Sequence, residues 1–247
     1  MARKEPASAP DQALDKRAQE LDRTDVADHV HNVVTAGLNA VPFVGGSLAS
    51  LIDDYIPKRK EERLREFLRD LAEDVQQIQD RLDESSKDHV RTDEFAYLIE
   101  KSFRGAMESY QKEKIEAYRA ILVNSLLPNA PDEDRKLFFV SLVDALTPLH
   151  FRIMRILRDP EGYDAATGNR VGAGGGLSTS RKEILQKLMP EYEADLLEAT
   201  WRDLNVRGVV TTDSLGGMIT DRGISQMARL LTPVGKQFVG FVTLPSQ

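Results

Sequence analysis

Cysteine is absent from this chain. Neither a disulfide nor a thiolate metal site can form, and a reducing cytoplasm is the expected setting. Long apolar runs are missing as well. No stretch of about 18 uninterrupted apolar residues occurs, so an ordinary transmembrane helix is not expected. Met1-Ala-Arg-Lys is not followed by an apolar segment of signal-peptide type, so export is not expected either. Positive charge is not in surplus: 33 Lys and Arg stand against 40 Asp and Glu, a net charge of -7. That balance disfavours broad binding to phosphate-rich surfaces, whether nucleic acid or anionic membrane. Tryptophan occurs once, at Trp201.

What remains is enough for cores. Hydrophobic residues make up 41% and charged residues 30% of 247 positions, an ordinary soluble composition for one large or two smaller domains. The pattern along the chain predicts a mainly α protein. Residues 1–23 read as a flexible tail, with few apolar groups to offset ordering entropy. Residues 24–128 read as an all-helical bundle with long antiparallel helices, and 132–247 as a second domain. Pro128-Asn-Ala-Pro131 marks the boundary between them.

Within the first domain, Val26, Val30, Val33, Val34 and Leu38 share a helix face. An apolar turn, Pro42-Phe-Val-Gly-Gly46, then leads to Ile56. Residues 33–56 are expected to form a buried helical hairpin. Release into lipid is the competing reading, set against it by Asp53 and Asp54 and by halves too short to cross a ~30 Å hydrocarbon layer. From Lys58 to about Ser85, Leu64, Leu68, Leu71, Val75, Ile78 and Leu82 are spaced four, three, four, three, four. This heptad seam predicts one long helix, packed on its successor or on a second copy. The successor is predicted from Thr92 or Asp93 to Leu127, with a stripe from Phe95 through Phe103, Tyr110 and Ile121. Gly105 allows a slight bend or a close crossing within it.

Past Pro131, Leu137, Phe138, Val140, Leu142, Val143, Leu146, Leu149, Ile153, Ile156 and Leu157 carry another helical pattern. Pro148 should kink it, or divide it near Thr147. A glycine-rich loop is predicted at 159–177, with Gly162, Gly168, Gly172, Gly174, Gly175 and Gly176. It lacks the Gly-Lys-Ser/Thr of a phosphate cradle and the third glycine and preceding strand of a dinucleotide site, so it reads as a connector. Ser180 with Glu183 forms a capping-box signature. A helix with Leu196, Leu197, Thr200, Trp201 and Leu204 on its core face then ends at Gly208, and Thr232-Pro233 opens a last helix.

Asp203-Leu-Asn-Val-Arg-Gly-Val-Val, a glycine-bearing loop, and Leu230-Leu-Thr-Pro-Val-Gly-Lys-Gln-Phe together resemble the winged-helix superfamily across the C-terminal half. The resemblance implies a C-terminal winged helix with a small β-hairpin, and says little about role. The N-terminal half resembles uncharacterised bacterial helical proteins with a Pro-apolar-apolar-Gly-Gly turn before a long charged helix, here Glu61-Glu-Arg-Leu-Arg-Glu-Phe-Leu-Arg-Asp-Leu-Ala-Glu73.

If the winged helix read DNA, its reading helix would present Glu191, Glu193, Asp195, Glu198 and Asp203 to a polyanion, with Arg202, Arg207 and Arg222 as the DNA-contact candidates. The carboxylates oppose such binding. The wing instead carries Leu215, Met218, Ile219 and Ile224. These are the candidates for contact with a protein, or they fold back onto their own domain.

No catalytic constellation, cofactor site or metal site is predicted. His29 and His31 diverge on a helix, and His150 beside Phe151 reads as a hydrogen-bonded packing residue. The leading expectation is a non-enzymatic, cytoplasmic protein-interaction or oligomerisation protein, its partner another protein or a second copy in a homo-oligomer. A winged-helix transcriptional regulator is the first alternative. A membrane-acting effector releasing 33–56 is the second.

Overall fold

The computed structural model describes residues 58–167, 179–219 and 223–245. The predicted tail, the hairpin 33–56, His29, His31, Gly168–Gly176 and Arg222 lie outside them. The described chain is mainly helical, and no helix in it is long and apolar enough to cross a membrane. It divides into two compact units. The first holds the described residues up to Tyr110 together with Tyr118–Val140 and the described residues from Leu244; the second holds the described residues of Gln111–Ala117 and Ser141–Thr243. The division near Val140 differs from the boundary expected at Pro128–Pro131, which is only a turn between two helices.

In the first unit, α1 (Lys58–Gln77) is followed by a 3-10 turn (Gln79–Arg81), α2 (Glu84–His89) and α3 (Asp93–Glu108). The heptad seam is buried at Leu64, Leu71, Val75, Ile78 and Leu82, with Phe67 inward beside the half-buried Leu68. The seam outlasts its helix. α1 stops at Gln77, and Leu82 is buried in extended conformation. The polar Asp83-Glu-Ser-Ser then starts α2 rather than a linker. Ser86 N–H donates to the Asp83 carboxylate at 3.2 Å, Asp83 N–H donates to Ser86 Oγ at 3.2 Å, and Ser86 Oγ donates to the Leu126 carbonyl at 2.7 Å. This reciprocal cap satisfies otherwise orphaned helix-end groups. α1 packs on α3, the same-chain alternative to a coiled coil. Phe67 meets Phe103 edge to face at 5.8 Å, and Arg63 donates to the Met107 carbonyl at 2.6 Å.

The helix predicted from Thr92 to Leu127 is two helices. Thr92 caps α3 by accepting from Phe95 N–H at 3.2 Å. The chain leaves α3 in extended conformation at Ser109 and re-enters helix as α4 (Lys112–Ser125). Tyr110, expected on the apolar stripe, sits in this break and is 80% exposed. The reversal brings the Tyr118 ring over Gly105, where a Cβ would lie 2.2 Å from the ring. Gly105 therefore serves a close crossing.

α5 (Glu133–Ala145) shows a rotated face. Lys136 and Phe139 are buried and Phe138 is 43% exposed. Lys136 turns inward because Glu94 lies 2.9 Å away, with His89 Nε2 at 3.5 Å. A second part-buried ion cluster joins Arg119 to Asp70 at 2.6 Å and to Asp74. Burial pushes the Asp74 carboxyl above its usual range, against the pull of Arg119.

In the second unit, α6 (Pro148–Arg158) follows α5 after Leu146 and its N-cap Thr147, with Pro148 in the first turn where its missing N–H is tolerated. α7 (Pro160–Thr167) occupies the first half of the predicted glycine loop, with Gly162 N–H donating to the Asp159 carboxylate at 3.0 Å. β1 (Thr179–Ser180), α8 (Arg181–Leu188) and α9 (Ala194–Val206) follow. Ser180 and Glu183 form the capping box read from the sequence. After α9 come β2 (Met218–Ile219), the single turn α10 (Gly223–Gln226), a 3-10 turn (Met227–Leu230) and α11 (Pro233–Phe241), capped by Thr232.

Two short antiparallel pairings replace the expected hairpin ladder. β1 pairs with β2, Thr179 opposite Ile219 and Ser180 opposite Met218. Val210 bridges Leu231. The β-prone run after Gly208 thus pairs only briefly, with Thr211 N–H on the Leu230 carbonyl at 2.8 Å and Thr232 N–H on the Val209 carbonyl at 3.0 Å.

Candidate functional site

The outer side of α9 exposes two large apolar side chains, Leu196 and Val206, and its inner side holds the helix in place. Leu197, Thr200, Trp201 and Leu204 recur at helical spacing and are buried. Trp201 is fully buried, and its indole Nε1–H donates to the Thr212 carbonyl at 2.8 Å. Asn205 donates to the Val210 carbonyl at 2.9 Å. Gly208 ends the helix at φ 73°, in the left-handed region where a Cβ is disfavoured, and Val209 N–H returns to the Leu204 carbonyl.

The base of α9 is tied to α6 through His150. Thr147 N–H points at His150 Nδ1 at 3.1 Å, and Thr147 Oγ1 lies 2.8 Å from the same nitrogen. A backbone N–H can only donate, so Nδ1 accepts and the ring proton belongs on Nε2. Nε2 lies 3.1 Å from Asp203 Oδ2, which also accepts from Arg207 Nε at 2.8 Å. Burial lowers the His150 pKa; Asp203 opposes the shift and Arg207 adds to it. Hydroxyl, imidazole and carboxylate stand in the order of a nucleophile triad. The Nδ1 lone pair, however, is shared with the backbone N–H that caps α6, so the arrangement works as a helix cap and a strut.

The outer side of α9 exposes Asp195, Leu196, Ala199, Arg202 and Val206. Leu196 is 49% and Val206 79% exposed. Leu196 was expected on the core face. At roughly 100° per residue it stands about 140° around the helix from Trp201, and that count alone would have moved it outward. Ala199 and Val206 were not singled out by the sequence reading; the same wheel places them beside Asp195 and Arg202.

The cations near this helix are largely engaged by carboxylates. Lys182 pairs with Glu198 at 2.5 Å, Arg207 with Asp203, and Arg152 with Glu113 and Glu191 at 3.2 and 3.1 Å. Of the three arginines that would touch DNA under the alternative reading, Arg207 is held by Asp203, Arg202 is exposed, and Arg222 lies outside the described residues.

The four wing candidates separate. Leu215 and Ile224 are buried, at 3% and 8% exposure, so their side chains belong to the core of their own unit and are withdrawn from the contact set. Met218 is 63% exposed on β2, and Ile219 is the residue of β2 opposite Thr179. The loop folds back because its backbone is used: Arg181 N–H donates to the Gly217 carbonyl and Lys182 N–H to the Leu215 carbonyl, both at 3.1 Å. Among the described residues no group of three or more His, Asp or Glu side chains could hold a metal ion.

No protein-family model, curated protein or solved structure matches this chain.

Proposed function

We propose that this is a non-enzymatic protein-interaction or oligomerisation protein, and that its second unit is a winged-helix variant turned to polypeptide rather than DNA. The observation that carries the reading is the outer side of α9. A groove-reading helix needs cations for phosphates and base edges. This one offers Leu196, Ala199 and Val206 with Arg202, and exposed Glu191, Glu193 and Asp195 gather at its start. Apolar groups rimmed by charge suit a protein surface.

The winged-helix assignment draws on the order α8, α9, Gly208, the Val210–Leu231 bridge and the terminal α11. The turned-in loop, with Leu215 buried, is a poor minor-groove probe.

The test is a mobility-shift titration of the full chain against random and genomic DNA at low salt, beside light scattering at several concentrations. The expected result is no sequence-selective shift. A nanomolar, sequence-selective shift would overturn the reading.

A further inference from the structure

We infer that the outer side of α9 is a self-complementary contact that binds the same helix of a second copy in antiparallel orientation; this rests on the interaction reading above. Asp195, Ala199, Arg202 and Val206 are spaced four, three, four along the exposed side, which places them in one stripe. Asp195 and Arg202 are both exposed, and no ion pair among the described residues engages either one. They lie to opposite sides of Ala199, four residues before it and three after.

Those positions decide the orientation. A parallel copy would set Asp195 against Asp195 and Arg202 against Arg202. An antiparallel copy crossing at Ala199 sets Asp195 beside the partner's Arg202, and by the two-fold axis does so twice. Residues that recognise each other across such an axis define an isologous contact. Ala199 carries only a methyl group, so the helices can approach to the short end of the ~8–10 Å range for packed helices. Leu196 and Val206 then lose the exposure they have in the single chain. The acidic start of α9, with Glu191 and Glu193, faces the end that bears Arg202. One helix face is a contact of the weak, transient size class, so assembly is expected at roughly micromolar concentration.

The absence of cysteine gives a direct test in the full chain. Ala199→Cys places one thiol at the crossing, and mild oxidation should give a covalent dimer on a non-reducing gel. Lys236→Cys, exposed on α11, is the control and should cross-link far less. Asp195→Arg and Arg202→Asp should each weaken dimerisation about tenfold by sedimentation velocity, and the double reversal should recover most of it. Should either reversal unfold the chain by circular dichroism, Asp195→Asn and Arg202→Gln replace them, each expected to weaken the dimer. An oligomer that cross-links no better through Ala199→Cys than through Lys236→Cys, or that ignores the charge changes, overturns this contact and leaves the interaction reading standing. A chain that stays monomeric and shifts no DNA also overturns the contact alone. A monomer that binds DNA selectively overturns both.

Discussion

His150 Nε2 lies 3.1 Å from Asp203 Oδ2, and this contact links the first turn of α6 to the last turn of α9. The other ring nitrogen accepts the Thr147 N–H, so the neutral ring serves the α6 cap on one side and stands against Asp203 on the other. A proton added at Nδ1 would set two donors against each other at the α6 cap.

Acid should therefore weaken the second unit. The His150 pKa is lowered by burial, so between that value and the ordinary 6.5 the unfolded chain binds more protons than the folded one. Stability from the neutral ring is fully present above about pH 6.5 and is lost as pH falls through the folded pKa. His89, lowered by burial and by nearby Lys136, gives the first unit a loss of the same sign. Melting curves from pH 7.5 to 5.5 should show a falling Tm. His150→Asn keeps an acceptor for the Thr147 N–H and should flatten the fall; an unchanged slope would count against this account.

Trp201 is the largest fully buried side chain and also supplies a hydrogen bond to the Thr212 carbonyl. Trp201→Ala removes both and should cost about 3–5 kcal/mol. Trp201→Phe keeps most of the packing and loses the donor, leaving the carbonyl short of a partner, at about 1–3 kcal/mol. Urea titrations should rank them in that order. Equal midpoints would mean that the cavity is not what matters.

How far the sequence carried depended on how local the signal was. Caps at Thr92, Ser180 and Thr232 use contacts within three residues, and all stand where the spacing placed them. Gly208 and the α5–α6 division at Pro148 are equally local. The misread elements turn on distant partners. Ser109–Gln111 contains neither proline nor glycine, and the break there accompanies the Tyr118–Gly105 contact. Lys136 faces inward because Glu94, far off in sequence, receives it, and this rotates α5 enough to expose Phe138. The sequence leaves the wing between a protein contact and a fold-back onto its own domain, because its alternation of apolar residues and glycines does not reveal that Arg181 and Lys182 take up its carbonyls. At the candidate site, Arg202 was legible from charge, and the Arg207–Asp203 pair follows from i,i+4 spacing; what distance in sequence concealed is that His150 stands against the same carboxylate.

Gly105→Ala tests the crossing of α3 and Tyr118. The added methyl meets the tip of the buried Tyr118 ring at 2.2 Å, so the ring or the helices must shift, and overpacking of this kind costs about 1–3 kcal/mol. Tyr118→Leu shortens the opposing side chain. Combined with Gly105→Ala it should cost less than the sum of the two single changes, a coupling visible in a double-mutant cycle. Strict additivity would place the strain elsewhere.

The Arg119 cluster gives the sharpest contrast between removing one charge and removing two. Arg119 is only 14% exposed and holds Asp70 and the 13%-exposed Asp74. Arg119→Met leaves Asp74 facing a poorly solvated site, while Asp70, 35% exposed, keeps Arg69 at 3.1 Å; breaking a buried pair from one side costs about 3–5 kcal/mol. Asp74 already has its pKa raised by burial, so without the arginine it should take up a proton more readily. The folded state then binds protons that the unfolded state releases, and the variant should regain stability as pH falls toward the carboxylate range. Asp74→Asn in the Arg119→Met background should recover part of the loss at neutral pH and reduce that acid gain. Chemical denaturation at pH 7.5 and 5 of the wild type and the two variants measures both effects. A deficit in Arg119→Met that does not change with pH would show that the guanidinium matters here for its packing rather than its charge.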